Sequence, residues 1–395
     1  MSNAAAQRRH LIAFAALSAS YFAHIGFFNP YLPLWLKDLG LSVFDISLLI
    51  AVQSATRLLA PYAWGAVSDH TGERVKLLRL GAGVALVSSL GLFFDMGFWW
   101  LAAVLLLMFT HTSFMMPMSE AAMAHLVSSG GAFDAHRYGR VRLWGSLGFL
   151  TTVLVAGSWF EAFGMAHFPL WTAVTLLAVL ISAWRLPDLK EAQHPHAAKL
   201  AVGPVLRTRP VQWLFASMFF HVLAHMSIYV FFSLYMDHLG YSKTVIGLLW
   251  AVSVLAEIGW FFTQSRWLPL LSLSGWLLLC AAATVLRMGL TASSAAVLPV
   301  LVLAQMLHAI TFAAHHSVCI ALLSRHFPGR LRGRGQALYT VVAYGLPGVL
   351  GSVGGGWLSA KYGLEAVFIA SVAIGLIAVG CAWRVGWHQG RVALR

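Results

Sequence analysis

Five charged side chains stand inside long apolar runs of this chain: Arg57, Glu120, Arg142, Glu257 and Arg287. Histidines accompany them at positions 24, 111, 221, 225, 308, 315 and 316. A charge in an apolar medium is costly unless it faces water or a partner, so such groups mark places that hold an ion, a proton or one another. Glu120 and Arg142 fall on consecutive apolar segments and can pair if Arg142 reaches inward from the start of its helix. Such a pair either holds a ligand and closes a gate, or simply ties two helices together. Glu257, Arg287 and His308 come from three successive segments. A nearby arginine favours the ionised form of Glu257 and a low dielectric favours the neutral one, which suits a proton carrier.

Helical spacing groups further polar residues. His308, Thr311 and His315 share one face, and Gln305 extends it by a turn. His221 and His225 are one turn apart, with Ser217 and Tyr229 continuing their stripe. Gln53, Thr56 and Arg57 line one face of an earlier helix. With the Glu120/Arg142 pair and Tyr339, these stripes give Arg57, Gln53, Glu120, Arg142, His225, Tyr229, His315 and Tyr339 as the candidate ligand contacts; Glu257, Arg287 and His308 from three successive segments are the candidate proton-coupling set. Tyr31, Tyr229, Tyr339 and Tyr344 are available to stack on an aromatic ligand. The His221/His225 pair has the i, i+4 spacing of metal ligands but no accompanying carboxylate or cysteine, so no metal is expected. A lone His24 or His111 reads as an interhelical hydrogen bonder.

The elements that carry these residues are membrane spans. Of 395 residues, 59% are hydrophobic and 10% charged, and mean hydropathy is +0.77. That excludes a soluble enzyme, a disordered tail and a secreted disulfide scaffold. Cys280, Cys319 and Cys381 all lie in apolar runs. Apolar segments predict an all-α membrane protein with spans over 11–36, 44–66, 77–95, 97–124, 142–160, 167–186, 211–236, 244–264, 267–289, 296–324, 337–358 and 364–386. The apolar stretch after Arg8 and Arg9 reads as a retained first span rather than a signal peptide. With both termini inside, 21 of the 26 Lys and Arg residues fall on the inner side and 3 on the outer, leaving Arg57 and Arg287 at membrane depth. An odd number of spans would scramble that alternation. The net charge of +13 then reflects loops facing an anionic leaflet, not nucleic acid.

The chain also repeats itself. Shifted by 200 residues, 31–57 matches 231–257 with nine identities, including Leu39-Gly40 over Leu239-Gly240 and Ala51-Val52 over Ala251-Val252. Arg57 falls on Glu257. A stretch over 187–210 carrying Pro187, Pro195, Pro204 and Pro210 reads as a cytoplasmic linker between bundles 1–186 and 211–395. A parallel six-plus-six repeat implies a ligand site near the membrane midplane, between the halves. Gly345, Gly348, Gly351 and Gly355 on one span serve close helix packing.

After the second span the sequence reads Gly65-Ala-Val-Ser-Asp69-His-Thr-Gly72-Glu-Arg74-Val-Lys76. It resembles the signature loop of the major facilitator superfamily, with Gly65 and Gly72 for close packing and a tight turn and Asp69 able to pair with Arg74 in one conformation. Pro117-Met-Ser-Glu120-Ala and Tyr138-Gly-Arg140-Val-Arg142-Leu-Trp-Gly145 are similar to paired motifs of lactose permease-type sugar–proton symporters. Glu257, Arg287 and His308 fall on that family's charged positions. Leu307-His308-Ala-Ile-Thr311-Phe-Ala-Ala-His315 and Pro328-Gly-Arg330-Leu-Arg332-Gly-Arg334-Gly-Gln336-Ala-Leu-Tyr339 more closely resemble the 3-phenylpropionate permease branch. Thr311 stands where the sugar symporters carry a carboxylate.

The resemblance implies two pseudo-symmetric six-helix bundles in a bacterial inner membrane. It implies import of a small aromatic carboxylic acid with protons, by alternating access and as a monomer. No cofactor is expected: the chain has no nucleotide-binding loop, so the proton gradient supplies the energy. A sugar or nucleoside symporter is the alternative. A drug-efflux antiporter is disfavoured because Gly145-Ser-Leu-Gly148 lacks the proline such proteins carry, and a non-translocating receptor is disfavoured by the repeat and the gating loop.

Overall fold

The computed structural model describes residues 3–127, 135–188, 202–328 and 331–393. All regular structure among them is helical. Among the described residues, twelve helices are long and apolar enough to cross a membrane: Arg9–Asp38, Val43–Thr71, Arg74–Phe93, Phe98–Met123, Val141–Phe163, Met165–Trp184, Arg209–His238, Lys243–Leu270, Leu273–Ser293, Leu298–His326, Arg332–Tyr362 and Leu364–His388, here spans 1 to 12. Several outrun the expected windows because polar residues continue the helix beyond the apolar run. Span 9 begins later than its window because the Ser272 hydroxyl accepts from the Gly275 amide at 3.1 Å and caps the helix there.

Four spans are interrupted, and the causes differ. Span 4 breaks between Thr112 and Met115. Pro117 has no N–H to donate to the Ser113 carbonyl, and its ring crowds that group. Spans 7, 10 and 11 instead contain π-helical turns at Ser227–Phe231, Ala309–Ala314 and Thr340–Gly345. Such turns widen the helix by one residue and re-aim the side chains that follow.

The internal repeat appears as the same turn built twice. Gly40 and Gly240 close spans 1 and 7 at φ +85° and +84°, a conformation that favours glycine. Two residues on, Ser42 and Ser242 accept from the amides of Asp45 and Val245 and cap the next helix.

The chain divides into two compact units. One comprises Met1–Gly40 and Ala55–Ala197, the other Leu41–Ser54 and Ala198–Arg395. In the first, span 1 packs on spans 5 and 6, and span 3 on spans 4 and 6. The second repeats this with span 7 on spans 11 and 12, and span 9 on spans 10 and 12. The segment Leu41–Ser54 opens span 2 and belongs with the second unit. Of the expected linker 187–210, residues 189–201 lie outside the described residues, as do the side chains of Tyr138 and Arg140 and the pair Gly329 and Arg330 of the quoted motifs.

Spans 1 and 5 approach closely enough that Gly148 leaves no room for a methyl group beside the Ala19 carbonyl. The expected close packing on span 11 is present at Gly351, where a Cβ would meet the Met226 side chain at 2.5 Å, and at Gly355 against Phe231. Gly148→Val forces two backbones apart and is expected to destabilise the fold by about 1–3 kcal/mol or more. Gly83→Ala, whose new methyl would meet only Leu180 at 3.9 Å, should leave the thermal unfolding midpoint in detergent unchanged. Equal midpoints for the two variants contradict this packing.

Candidate functional site

The second unit concentrates its polar groups around one cation. Arg287 of span 9 is 0% exposed. A guanidinium can only donate hydrogen bonds, so its neighbours must accept. Its Nη1 donates to Thr311 Oγ1 at 3.1 Å and to His308 Nδ1 at 3.0 Å, and its Nη2 donates to Gln305 Oε1 at 2.8 Å. All three acceptors lie on span 10, where the π turn starting at Ala309 sits between His308 and His315. Ser253 of span 8 also donates to the Gln305 oxygen. Arg287 Nε is buried with no acceptor among the described residues.

Because Nδ1 of His308 accepts, its proton is on Nε2. That atom lies 3.5 Å from Glu257 Oε2 of span 8. The structure therefore brings Glu257, Arg287 and His308 together, with a correction. The arginine does not touch the carboxylate; a single imidazole stands between them. Among the described residues Arg287 has no carboxylate within salt-bridge distance.

Next to this group lies an imidazole stack. His221 and His315 are parallel with ring centroids 3.6 Å apart, and His221 and His225 stack at 4.7 Å. His221 Nε2 donates to the Thr311 carbonyl at 2.7 Å, and His225 Nδ1 to the His221 carbonyl at 3.0 Å. Stacked rings point their nitrogens alongside one another rather than at a common centre, and no group of three potential metal ligands occurs among the described residues. Cys319, one turn after His315, places its sulfur 3.4 Å from His315 Nε2. Tyr339 is buried and its hydroxyl lies 3.2 Å from that of Tyr344. Tyr229 sits in the π turn of span 7, its ring 6.2 Å from that of His225.

The first unit carries a looser group. Arg142 Nε and Glu120 Oε1 are 3.8 Å apart and both side chains are partly exposed. The guanidinium lies over the Phe22 ring at 4.5 Å. Buried Tyr21 lies within electrostatic reach of Arg57, Glu120 and Arg142, so these three charges share one region of this unit. Its hydroxyl donates to the Thr112 carbonyl at 3.1 Å, where span 4 breaks. Arg57 is partly buried on span 2; Gln53, one turn earlier and also partly buried, falls in the segment grouped with the second unit.

Some expected residues do other work. Tyr31 is fully buried and donates to the Val153 carbonyl at 3.0 Å, so it packs rather than stacks on a ligand. His24 bridges helices through Thr175 at 3.0 Å, but His111 bonds the Leu107 carbonyl of its own helix. In the loop after span 2, Gly72 has φ +70° and closes the helix through its bond to Ser68. Asp69 is 3.9 Å from Arg74. The close packing expected at Gly65 is missing: a Cβ there would meet nothing within 4 Å among the described residues. Sequence reasoning missed Ser253 and Cys319. Each stands one turn from a residue it did single out, but a lone serine or cysteine in an apolar helix carries no signal.

Comparison with known proteins agrees with this architecture. Residues 14–370 match the model of the MFS_1 like family. The chain is 30% identical over 345 residues to the probable 3-phenylpropionic acid transporter of Escherichia coli (strain K12), covering 82% of this chain and 85% of that one. It is 26% identical to the maltose permease of Geobacillus stearothermophilus, covering 88% and 87%. Among solved structures, the nucleoside transporter NupG shares the fold with a TM-score of 0.81 at 13% identity, over 95% of this chain and 98% of that chain. A bacterial homologue of the lysosomal transporter Spinster superposes with a TM-score of 0.72 at 14% identity, over 96% of each. Twelve spans in two repeated bundles, together with a family match over most of its length, make this chain a multi-pass membrane protein and a secondary transporter of the MFS_1 like family.

Proposed function

We propose that the protein is a proton-coupled symporter that imports a small aromatic carboxylic acid across a bacterial inner membrane, with both termini in the cytoplasm. The observation that carries this reading is the Glu257–His308–Arg287 chain. Arg287 keeps its charge, and the compensating charge on Glu257 reaches it only through a neutral imidazole. When Glu257 takes up a proton, the buried cation loses that compensation. An unbalanced charge at membrane depth is unfavourable, so an anion then binds better. Proton and carboxylate thus enter as a neutral sum, and each favours the other by the same factor. The orphan Nε–H of Arg287 is a donor for that carboxylate. His225, His315, Tyr229 and Tyr339 belong to the same reading as aromatic or polar contacts. The 3-phenylpropionic acid transporter resemblance supports the aromatic acid; the maltose permease resemblance keeps a sugar as the second reading.

Purified protein in proteoliposomes tests both. Phenyl-substituted carboxylates should compete for binding far better than their amides or than maltose. Equal binding of acid and amide overturns the anionic substrate. Glu257→Gln should abolish accumulation driven by an imposed pH gradient while leaving equilibrium counterflow; retained uphill uptake moves the proton site elsewhere.

The loop after span 2 generates a separate expectation. Asp69 sits at the end of its helix beside Arg74, about three turns along the same span from Arg57. Asp69→Asn should cut transport while substrate affinity stays nearly unchanged. A parallel fall in both contradicts a gating role.

A further inference from the structure

We infer that the end of span 12 nearest the C-terminus forms, with the start of span 7, a binding site for the headgroup of an anionic phospholipid. Arg384 is exposed, and three indoles surround it: Trp213 at 5.8 Å, Trp383 at 5.4 Å and Trp387 at 5.4 Å from its guanidinium carbon to the ring centroids. Among the described residues it has no ion pair and no hydrogen bond. Indoles at that range hold a guanidinium by its charge. They leave its N–H edge for oxygens, and that edge matches a phosphate in bidentate fashion. Arg209 lies one turn before Trp213 on span 7, is exposed, and also lacks a salt-bridge partner among the described residues.

The first unit supplies an internal contrast. There Arg79 lies 5.2 Å over Trp184 at the end of span 6. Its N–H groups are taken by Asp188 at 2.9 Å, the Leu186 carbonyl at 2.8 Å and the Ala183 carbonyl at 3.3 Å. That arginine closes a helix end and has little left to offer. Arg384 closes nothing.

The surface leading away from Arg384 argues for a lipid over a free anion. Leu376, Gly380, Trp383 and Trp387 recur at helical spacing along one face of span 12. Leu376 is 57%, Trp383 54% and Trp387 37% exposed, and nothing lies within 4 Å of a Cβ placed on Gly380. An apolar track with a gap in it therefore runs from the guanidinium along the helix, as an acyl chain attached to the bound phosphate requires. Trp at such a position suits the boundary between headgroups and hydrocarbon.

Photo-crosslinking of the full-length protein in nanodiscs tests this, using phosphatidylglycerol with a diazirine in its headgroup and peptide mapping of the adducts. Labelling should concentrate on 207–213 and 380–388 and should exceed that from a phosphatidylcholine probe. Arg384→Gln should lower it about five-fold, the worth of one basic residue at an anionic surface. Arg384→Lys should restore part of it. Trp383→Leu with Trp387→Leu should also lower it while leaving the charge in place. Lys361→Gln, near Trp357 and Tyr362 on the far side of the unit, should change nothing. Equal labelling by phosphatidylcholine, labelling unmoved by Arg384→Gln, or loss of labelling in millimolar glycerol 1-phosphate each overturns the lipid site.

Discussion

A guanidinium sealed inside an apolar bundle sets the terms for everything around it. Arg287 cannot shed its proton under any ordinary condition, so burial can only be met by acceptors and by negative charge. Span 10 supplies three acceptors, Gln305, His308 and Thr311. Each then recruits another helix: Gln305 takes a bond from Ser253, His308 faces Glu257, and the Thr311 backbone accepts from His221. One cation therefore organises spans 7, 8, 9 and 10 through a single connected network. Such networks are worth more than their separate bonds, and a gap in one is correspondingly costly.

The π turns belong to the same problem. The Thr311 carbonyl that accepts from His221 lies inside the π turn of span 10, where the helix is widened. Among the described residues, π turns occur in spans 7, 10 and 11 of the second unit and nowhere in the first. The first unit interrupts its span 4 by a proline instead, and keeps Glu120 and Arg142 partly exposed and loosely paired. The two units thus handle charge differently. One buries a cation and satisfies it with neutral groups; the other keeps an oppositely charged pair partly exposed.

The frame was legible in the sequence because the membrane imposes it. Apolar length and the sidedness of arginine and lysine are set by the bilayer, so all twelve spans could be placed within a few residues. The Leu-Gly-x-Ser turns were legible because only glycine accepts the φ that Gly40 and Gly240 adopt. The site was less legible. Periodicity could say that Glu257, Arg287 and His308 point inward, but not which of them touch. That depended on a π turn whose local sequence, Ala-Ile-Thr-Phe-Ala-Ala, has no proline or glycine to announce it. Tyr31 shows the opposite failure. An aromatic residue at membrane depth can serve a ligand or a packed core, and only the Val153 carbonyl and the Phe160 ring beside it decide for the core.

The internal repeat explains why some features persist and others diverge. Turn glycines and capping serines are dictated by backbone geometry, which both halves share, so they recur 200 residues apart. A charged side chain is dictated by its partners, and partners can change together. Arg57 stands where the repeat places Glu257, a reversal of sign at equivalent positions. A reversal is tolerable only if the surroundings reverse with it. The surroundings do differ: Arg57 shares a region around Tyr21 with both the Glu120 carboxylate and Arg142, whereas Glu257 faces a histidine held by Arg287. Duplication supplied two copies of one scaffold, and the sign of the charge at equivalent sites became free to differ. Two copies of the Glu257 arrangement would present two carboxylates; the copy that carries Arg57 presents a cation at the equivalent position instead.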